Sequence, residues 1–325
     1  MRSILQAFAI AFSLLCAGCG PAAAEAYPAK PVRMVVPFPP GGAADLIGRV
    51  VALRLGEQLA QPVIVDNRAG ASGNIGADAV AKAQGDGYTL LMAALTSHAI
   101  NHTLERKVLR YDLERDLSPV MIVATVPYVF VVHPSLPSRS MQEFIAYARA
   151  KPGQVSYGSS GAGSPQRLAV EMLKLRTRLD LLHVPYKGSG QVINDLVGGQ
   201  VLAAFESLPA ALPHIRAAKL RALAVTTAQR IPMLPEVPTM EEAASLPFEV
   251  SSTFGILAPA ATPRVVIERL NVELAKTMQL PAVREALLQH GAFAVSTTPD
   301  EAGQRIHSEI AMWARVIHEA NVKSD

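Results

Sequence analysis

Cysteine is nearly missing from this chain: 325 residues hold two, Cys16 and Cys19, both close to the N-terminus. Everything downstream therefore lacks the thiol for a nucleophile, a zinc–thiolate site or an internal disulfide. A surplus of either charge is missing too. Thirty Lys and Arg face 27 Asp and Glu for a net charge of +3, which excludes a polybasic nucleic-acid binder. Half the residues are hydrophobic and no segment is of low complexity, which excludes an intrinsically disordered chain. The longest apolar stretch, residues 120–132, is interrupted by Thr125 and Pro127 and rich in β-branched residues, so it reads as a buried strand and not a membrane span. What is present is length: 325 residues exceed one ordinary domain and suggest two lobes or one large α/β unit.

Residues 1–26 have the grammar of an export signal. Arg2 supplies the charged region, residues 4–15 the apolar one, and Ala24-Glu25-Ala26 an A-x-A-like cut before Tyr27. Cleavage there leaves 325 − 26 = 299 residues and no cysteine. A second cut is also readable, because Ala17-Gly18-Cys19 looks like a lipoprotein signal in which Cys19 becomes the lipidated first residue. Either way the expected location is the periplasm.

Downstream, short β-branched runs alternate with helical patterns. Residues 32–36 precede a helix over 43–59, residues 63–65 one near 75–83, and residues 88–92 read as a further strand. A second series begins after the long apolar run, with strand candidates at 155–157, 183–186, 201–205 and 222–225 and helices at 165–174 and 191–197. This alternation predicts an α/β fold of two lobes with mostly parallel strands. The final third reads as extended chain at 248–257 and helices at 265–278, 282–289 and 299–316, which are expected to cover the first lobe. The expected division is 27–124 plus 228–325 for a discontinuous first lobe and 125–227 for the second.

Both lobes open on a strand, a glycine-rich loop and a helix. The first is Pro37-Phe38-Pro39-Pro40-Gly41-Gly42-Ala43-Ala44-Asp45, followed by a helix expected to bury Leu46, Val50 and Leu53. Its free N–H groups form an anion site, worth roughly 0.3–1 kcal/mol to a carboxylate from the dipole alone. Asp45 can serve the local backbone or pair with Arg49 four residues on. The second is Tyr157-Gly158-Ser159-Ser160-Gly161-Ala162-Gly163-Ser164-Pro165, in which Ser164 as N-cap and Pro165 in the first turn mark a helix start. Leu168, Met172 and Leu175 form its expected buried stripe. Arg167 opposes the helix dipole in that first turn, which points to an anionic partner or to solvent.

Enzyme motifs fail on inspection. Ala162 breaks G-x-S-x-G, Gln166 breaks G-x-G-x-x-G, and no P-loop lysine follows either glycine run. His98 and His102 are four apart but lack the glutamate of a zinc protease between them, and a surface or capping role is expected. No cofactor or metal site assembles, and the chain is not expected to be an enzyme.

The ordered set of motifs carries a resemblance. Val35-Val36-Pro37-Phe38-Pro39-Pro40-Gly41-Gly42 with Asp45, Asp66-Asn67-Arg68-Ala69-Gly70-Ala71-Ser72-Gly73-Asn74, Asp86-Gly87-Tyr88-Thr89-Leu90, His183-Val184-Pro185-Tyr186-Lys187-Gly188, Asp195-Leu196-Val197-Gly198-Gly199 and Leu220-Arg221-Ala222-Leu223-Ala224-Val225-Thr226 resemble the tripartite tricarboxylate transporter substrate-binding proteins, the Bug family of periplasmic receptors. The resemblance implies a type II periplasmic-binding-protein fold, two α/β lobes joined by two crossing strands with a ligand cleft between them. It implies a small organic carboxylate gripped by Phe38, Pro39, Gly41, Gly42 and Asp45 from one lobe and by Ser159, Gly161, Gly163, Ser164 and Arg167 from the other. Ser72, Asn74, Thr96, Ser97, Tyr186, Phe205 and Glu206 are the further cleft residues it suggests. The implied partner is the membrane permease of a tripartite tricarboxylate-type transporter, the chain acting as a monomer. Arg167, Glu206 and Thr253 stand where the family often has His, Asp or Asn, and Trp. Two rival readings stay open on the residues: a sensor presenting ligand to a membrane signalling partner, and a secreted hydrolase using Ser159 or Ser160.

Overall fold

The computed structural model of the chain describes residues 27–161, 163–186 and 188–323. The export signal and the lipid anchor at Cys19 lie outside them. The helices, in chain order, are α1 (Ala43–Leu59), α2 (Asn74–Ala81), α3 (Leu95–Leu104), α4 (Met141–Ala150), α5 (Pro165–Thr177), α6 (Ser189–Val197), α7 (Leu208–Arg216), α8 (Met240–Ala244), α9 (Arg264–Gln279), α10 (Pro281–Gln289) and α11 (Pro299–Glu319). The strands are β1 (Val32–Val36), β2 (Val63–Asn67), β3 (Thr89–Ala94), β4 (Leu117–Val132), β5 (Ser156–Ser159), β6 (Leu182–Pro185), β7 (Ala203–Ser207), β8 (Arg221–Val225), β9 (Ser251–Pro259) and β10 (Phe293–Ala294).

β1 has apolar side chains on both faces, the pattern of a strand covered by helices above and below. It pairs in parallel with β2 and β3. β9 then runs antiparallel to β3, and β4 antiparallel to β9, so the sheet is mixed where the alternation predicted mostly parallel strands. At about 3.3 Å per residue, the 16 residues of β4 reach roughly 50 Å, enough to serve two lobes. Its residues 117–127 face β9, and its last five face β7 and β8. β5 completes the second lobe between β7 and β6.

The lobes are joined where three passes of chain meet. The Thr226 amide donates to the Tyr128 carbonyl at 3.0 Å, and the Val250 amide donates to the Thr226 carbonyl at 3.1 Å. The Tyr128 phenol and the Ser252 hydroxyl lie 2.5 Å apart. β4 and the chain entering β9 are the two crossing segments.

Each lobe packs apolar residues on both sheet faces. Met34, Ile47, Leu55 and Ile256 share one cluster in the first lobe, and Val35, Leu91 and Ile306 another. In the second, Phe130, Phe144, Tyr157 and Phe205 form an aromatic core, with Val129, Val192 and Leu208 on the opposite face. α11 contributes to both lobes: Ala302 and Ile306 enter a first-lobe cluster, while Trp313, Val316 and Ile317 enter the aromatic one. Met240, Ala243 and Phe248 also pack in that second core, although they follow residue 228 in the chain.

Two helical faces differ from expectation. α1 buries Ile47, Val51, Leu55 and Leu59 with Ala44, Gly48 and Ala52, whereas Leu53 is exposed. The true stripe is one residue out of phase because small residues, Ala and Gly, complete it. In α5, Leu168 and Met172 are buried as expected, but Leu175 is 38% exposed.

Candidate carboxylate-binding cleft

The first glycine loop leaves the C-terminal end of β1, where a ligand of an open α/β sheet is expected. Gly41 adopts φ +85°, a left-handed conformation that favours glycine. Pro39, Gly41, Gly42 and Ala43 are exposed, and α1 starts at Gly42 with no side-chain cap, so its first-turn N–H groups remain free. Asp45, buried, holds the loop from beneath. It accepts from the Gly41 amide at 2.9 Å, Asn67 Nδ2 at 2.9 Å and Arg49 Nε at 3.0 Å. Burial acts to raise its pKa, but these hydrogen bonds, with Arg49 foremost, hold the carboxyl below the usual range. Asn67 also donates to the Phe38 carbonyl at 3.1 Å, tying β2 to the loop. Asp45 thus shapes the entrance, serving both the backbone and Arg49.

Behind the loop lies a polar network that the sequence did not disclose. Ser72 is exposed with φ +52°, and its carbonyl accepts from Asn101 Nδ2. Asn74 Oδ1 accepts from the Tyr111 phenol at 3.2 Å and from Asn101 at 3.3 Å. Tyr111 in turn meets His98 Nδ1 at 3.1 Å, while the buried His98 Nε2 has no partner among the described residues. His98 is fully buried, and burial pushes its pKa down to about 4, so the surface role expected for it is wrong. The signal was faint: every residue of α3 from Leu95 to Asn101 except Ser97 is buried, leaving no polar face to betray the histidine.

Thr96 does not line the cleft. Its hydroxyl donates to Glu309 Oε2 at 2.9 Å and receives the Thr253 amide, while Thr253 donates to Glu309 Oε1 at 2.6 Å. The resemblance fixed its position in the chain but not the direction of its side chain, which turns toward α11. Ser97, half-buried, sits in the first turn of α3.

The second entrance is held by hydroxyls. Ser164 caps α5, its Oγ accepting from the Arg167 amide at 3.2 Å and donating to the Gly161 carbonyl at 2.8 Å. Gly161 has φ +114°, which only glycine adopts readily. A Cβ on Gly163 would meet Leu104 at 3.4 Å, so this loop reaches across to α3 of the first lobe. Ser159 is buried, with its Oγ 2.7 Å from His183 Nε2, and the Tyr157 ring stacks on that imidazole. The Tyr157 phenol donates to Glu171 at 2.7 Å and faces Arg167, whose buried Nε has no hydrogen bond among the described residues. Tyr186 is half-buried, with its phenol on Asp195 at 2.8 Å and its amide on the Ser159 carbonyl at 2.9 Å.

Phe205 is a core residue, not a cleft residue: it is fully buried, stacked on Phe248 and edge-on to Phe130. Alternation along β7 sends its neighbour Glu206 to the other face. A separate cavity of about 240 Å3 lies at the crossing strands, lined by Thr125, Thr226, Ser251, Thr253 and Arg305 among others, and by none of the cleft residues expected from sequence. No cluster of three or more metal-ligating side chains occurs among the described residues, and none of the described helices is long and apolar enough to cross a membrane.

Two α/β lobes on crossing strands, each presenting a glycine loop and a helix start at the ends of its strands, define a periplasmic binding protein of type II. Residues 47–322 match the model of the tripartite tricarboxylate transporter family receptor, TctC, and the chain belongs to that family. The chain is 42% identical to protein BugT of Bordetella pertussis over 93% of each chain. An R. palustris protein, Rpa4515, solved with adipate, superposes with a TM-score of 0.81 at 37% identity over 92% of this chain and all of that one. MatC from Rhodopseudomonas palustris with bound malate gives 0.76 at 29% identity over 90% and 100% of the two chains. Members of this family are solute-binding receptors rather than enzymes, so the serine hydrolase reading falls even though Ser159 has an imidazole beside it.

Proposed function

We propose that the chain captures a small organic carboxylate between its lobes in the periplasm and delivers it, as a monomer, to the permease subunits of a tripartite tricarboxylate-type transporter. The observation that carries this reading is the pair of glycine-rich helix starts, one per lobe, at the C-terminal ends of β1 and β5. Free amides at Gly42 and the first turn of α1 supply one half of an anion site, and the glycine-rich start of α5, held in shape by Ser164, supplies the other. The adipate and malate complexes of relatives support the ligand class. An affinity near micromolar requires about −8 kcal/mol, within reach of a closed cleft that removes most of a small ligand from water. The export pattern of residues 1–26 supports the location.

Thermal-shift measurement across mono-, di- and tricarboxylates tests the reading. A matching acid raises Tm in proportion to the logarithm of its concentration above Kd. Silence across the panel from folded, ligand-free protein refutes it.

A further inference from the structure

The second lobe keeps one carboxylate out of water. Glu206 is fully buried at the end of β7. Tyr157 lies opposite Ala203, and Ser159 opposite Pro185, so Glu206, three residues beyond Ala203, stands level with Ser160 and Tyr186. That is the rim from which the loops of the second lobe leave their strands. Its side chain lies at the start of α6, where the Ser189 hydroxyl donates to Oε2 and the Ser207 amide to the carboxyl. Both partners are neutral. Among the described residues, Tyr128 on β4 feels its charge, and that phenol is already engaged by Ser252. Glu206 Oε1 has no hydrogen-bond partner among the described residues. Beside Ser189, Gly188 and Gly190 have open space where a Cβ would stand. A buried carboxylate oxygen left unpaired is costly, and a ligand donor that reaches it removes that cost.

We propose that Glu206 determines specificity in the cleft: its free oxygen accepts a hydrogen bond from an amino or hydroxyl group at the far end of the ligand, so the chain takes amino- and hydroxy-monocarboxylates in preference to dicarboxylates of equal length. This rests on the carboxylate-receptor reading above. A second carboxylate would meet a like charge in a poorly screened site, and a plain alkyl end would leave the oxygen unpaired. Sites built to hydrogen-bond a ligand group discriminate strongly against analogues that lack it.

Calorimetric titration at pH 8 with hexanoate, 6-hydroxyhexanoate, 6-aminohexanoate and adipate tests this, with the four-carbon set of butanoate, 4-hydroxybutanoate, 4-aminobutanoate and succinate in parallel. The amino acid of the better-fitting set is expected to bind at least tenfold tighter than both its alkyl and its dicarboxylate analogue. Glu206→Gln, with folding checked by circular dichroism, is expected to narrow the gap to the dicarboxylate to less than threefold. Glu206→Asp keeps the charge but withdraws it by one methylene, and is expected to weaken the amino preference without abolishing it, which keeps the test open if the glutamine variant does not fold. Acids that bind with no ranking by end group, or a ranking unchanged in both variants, overturn this inference alone. Silence across both sets and the wider panel overturns the receptor reading with it.

Discussion

In the first lobe the glycine loop is tied by a charge: the Asp45 carboxylate collects the Gly41 amide, Asn67 and Arg49 beneath it. In the second the loop is tied by neutral hydroxyls, Ser164 on the Gly161 carbonyl and Ser159 against His183. The helix caps differ in the same sense, since α1 has no side-chain cap and α5 spends Ser164 on the Arg167 amide. The first entrance therefore presents bare backbone donors on a charged footing, and the second stands on neutral hydroxyls that are themselves spent on the loop. Each lobe also holds a fully buried titratable residue with an atom that lacks a hydrogen-bond partner among the described residues, and the two are of opposite character: His98 Nε2 in the first, Glu206 Oε1 in the second.

That opposition gives the largest expected effect. Burial pushes the Glu206 carboxyl up to about 7, against the hydrogen bonds from Ser189 and Ser207. A raised carboxyl contributes stability that is complete below its ordinary value near 4.5 and is lost as pH rises through 7. Burial pushes His98 down to about 4, so its contribution is complete above 6.5 and is lost as pH falls through 4. Each is worth about 3 kcal/mol over its window. In urea titrations from pH 4 to 8.5, Glu206→Gln is expected to flatten the alkaline decline and His98→Gln the acid one. If either variant keeps the wild-type slope on its own limb, the two lobes are not opposed in this way.

The next effect separates the charged footing from the neutral one. Asp45→Ala strands the Gly41 amide and Asn67 and releases Arg49, which is half-exposed and can return to water, so a loss of about 2 kcal/mol is expected by chemical denaturation. Ser164→Ala removes a cap without exposing a charge and is expected to cost about 1 kcal/mol. Equal losses from the two would erase the distinction between the entrances.

Much of this was legible in the residues. Strands with β-branched runs, both glycine entrances, Ser164 as a cap and the local service of Asp45 follow from composition and spacing. What escaped did so for physical reasons. α3 is buried on nearly all sides and shows no amphipathic period, and α7 carries Pro213 in its interior, which argues against a helix until tertiary packing overrides it. The direction of a side chain was the other loss. Thr96 and Phe205 stand at the expected positions yet point into a buried network and a core. The meeting of Ser159 with His183 depends on parallel pairing of β5 and β6 across 24 residues, which no local pattern encodes.

α11 is anchored in both lobes, by Ala302 and Ile306 at one end and by the buried Trp313 at the other. Its 21 residues make a strut of about 30 Å laid along the joint. Its grip at the Trp313 end is apolar, so ions in solution do not screen it. The mechanical link between the two halves of the receptor therefore keeps its stiffness across salt concentrations that would weaken a joint closed by surface charges.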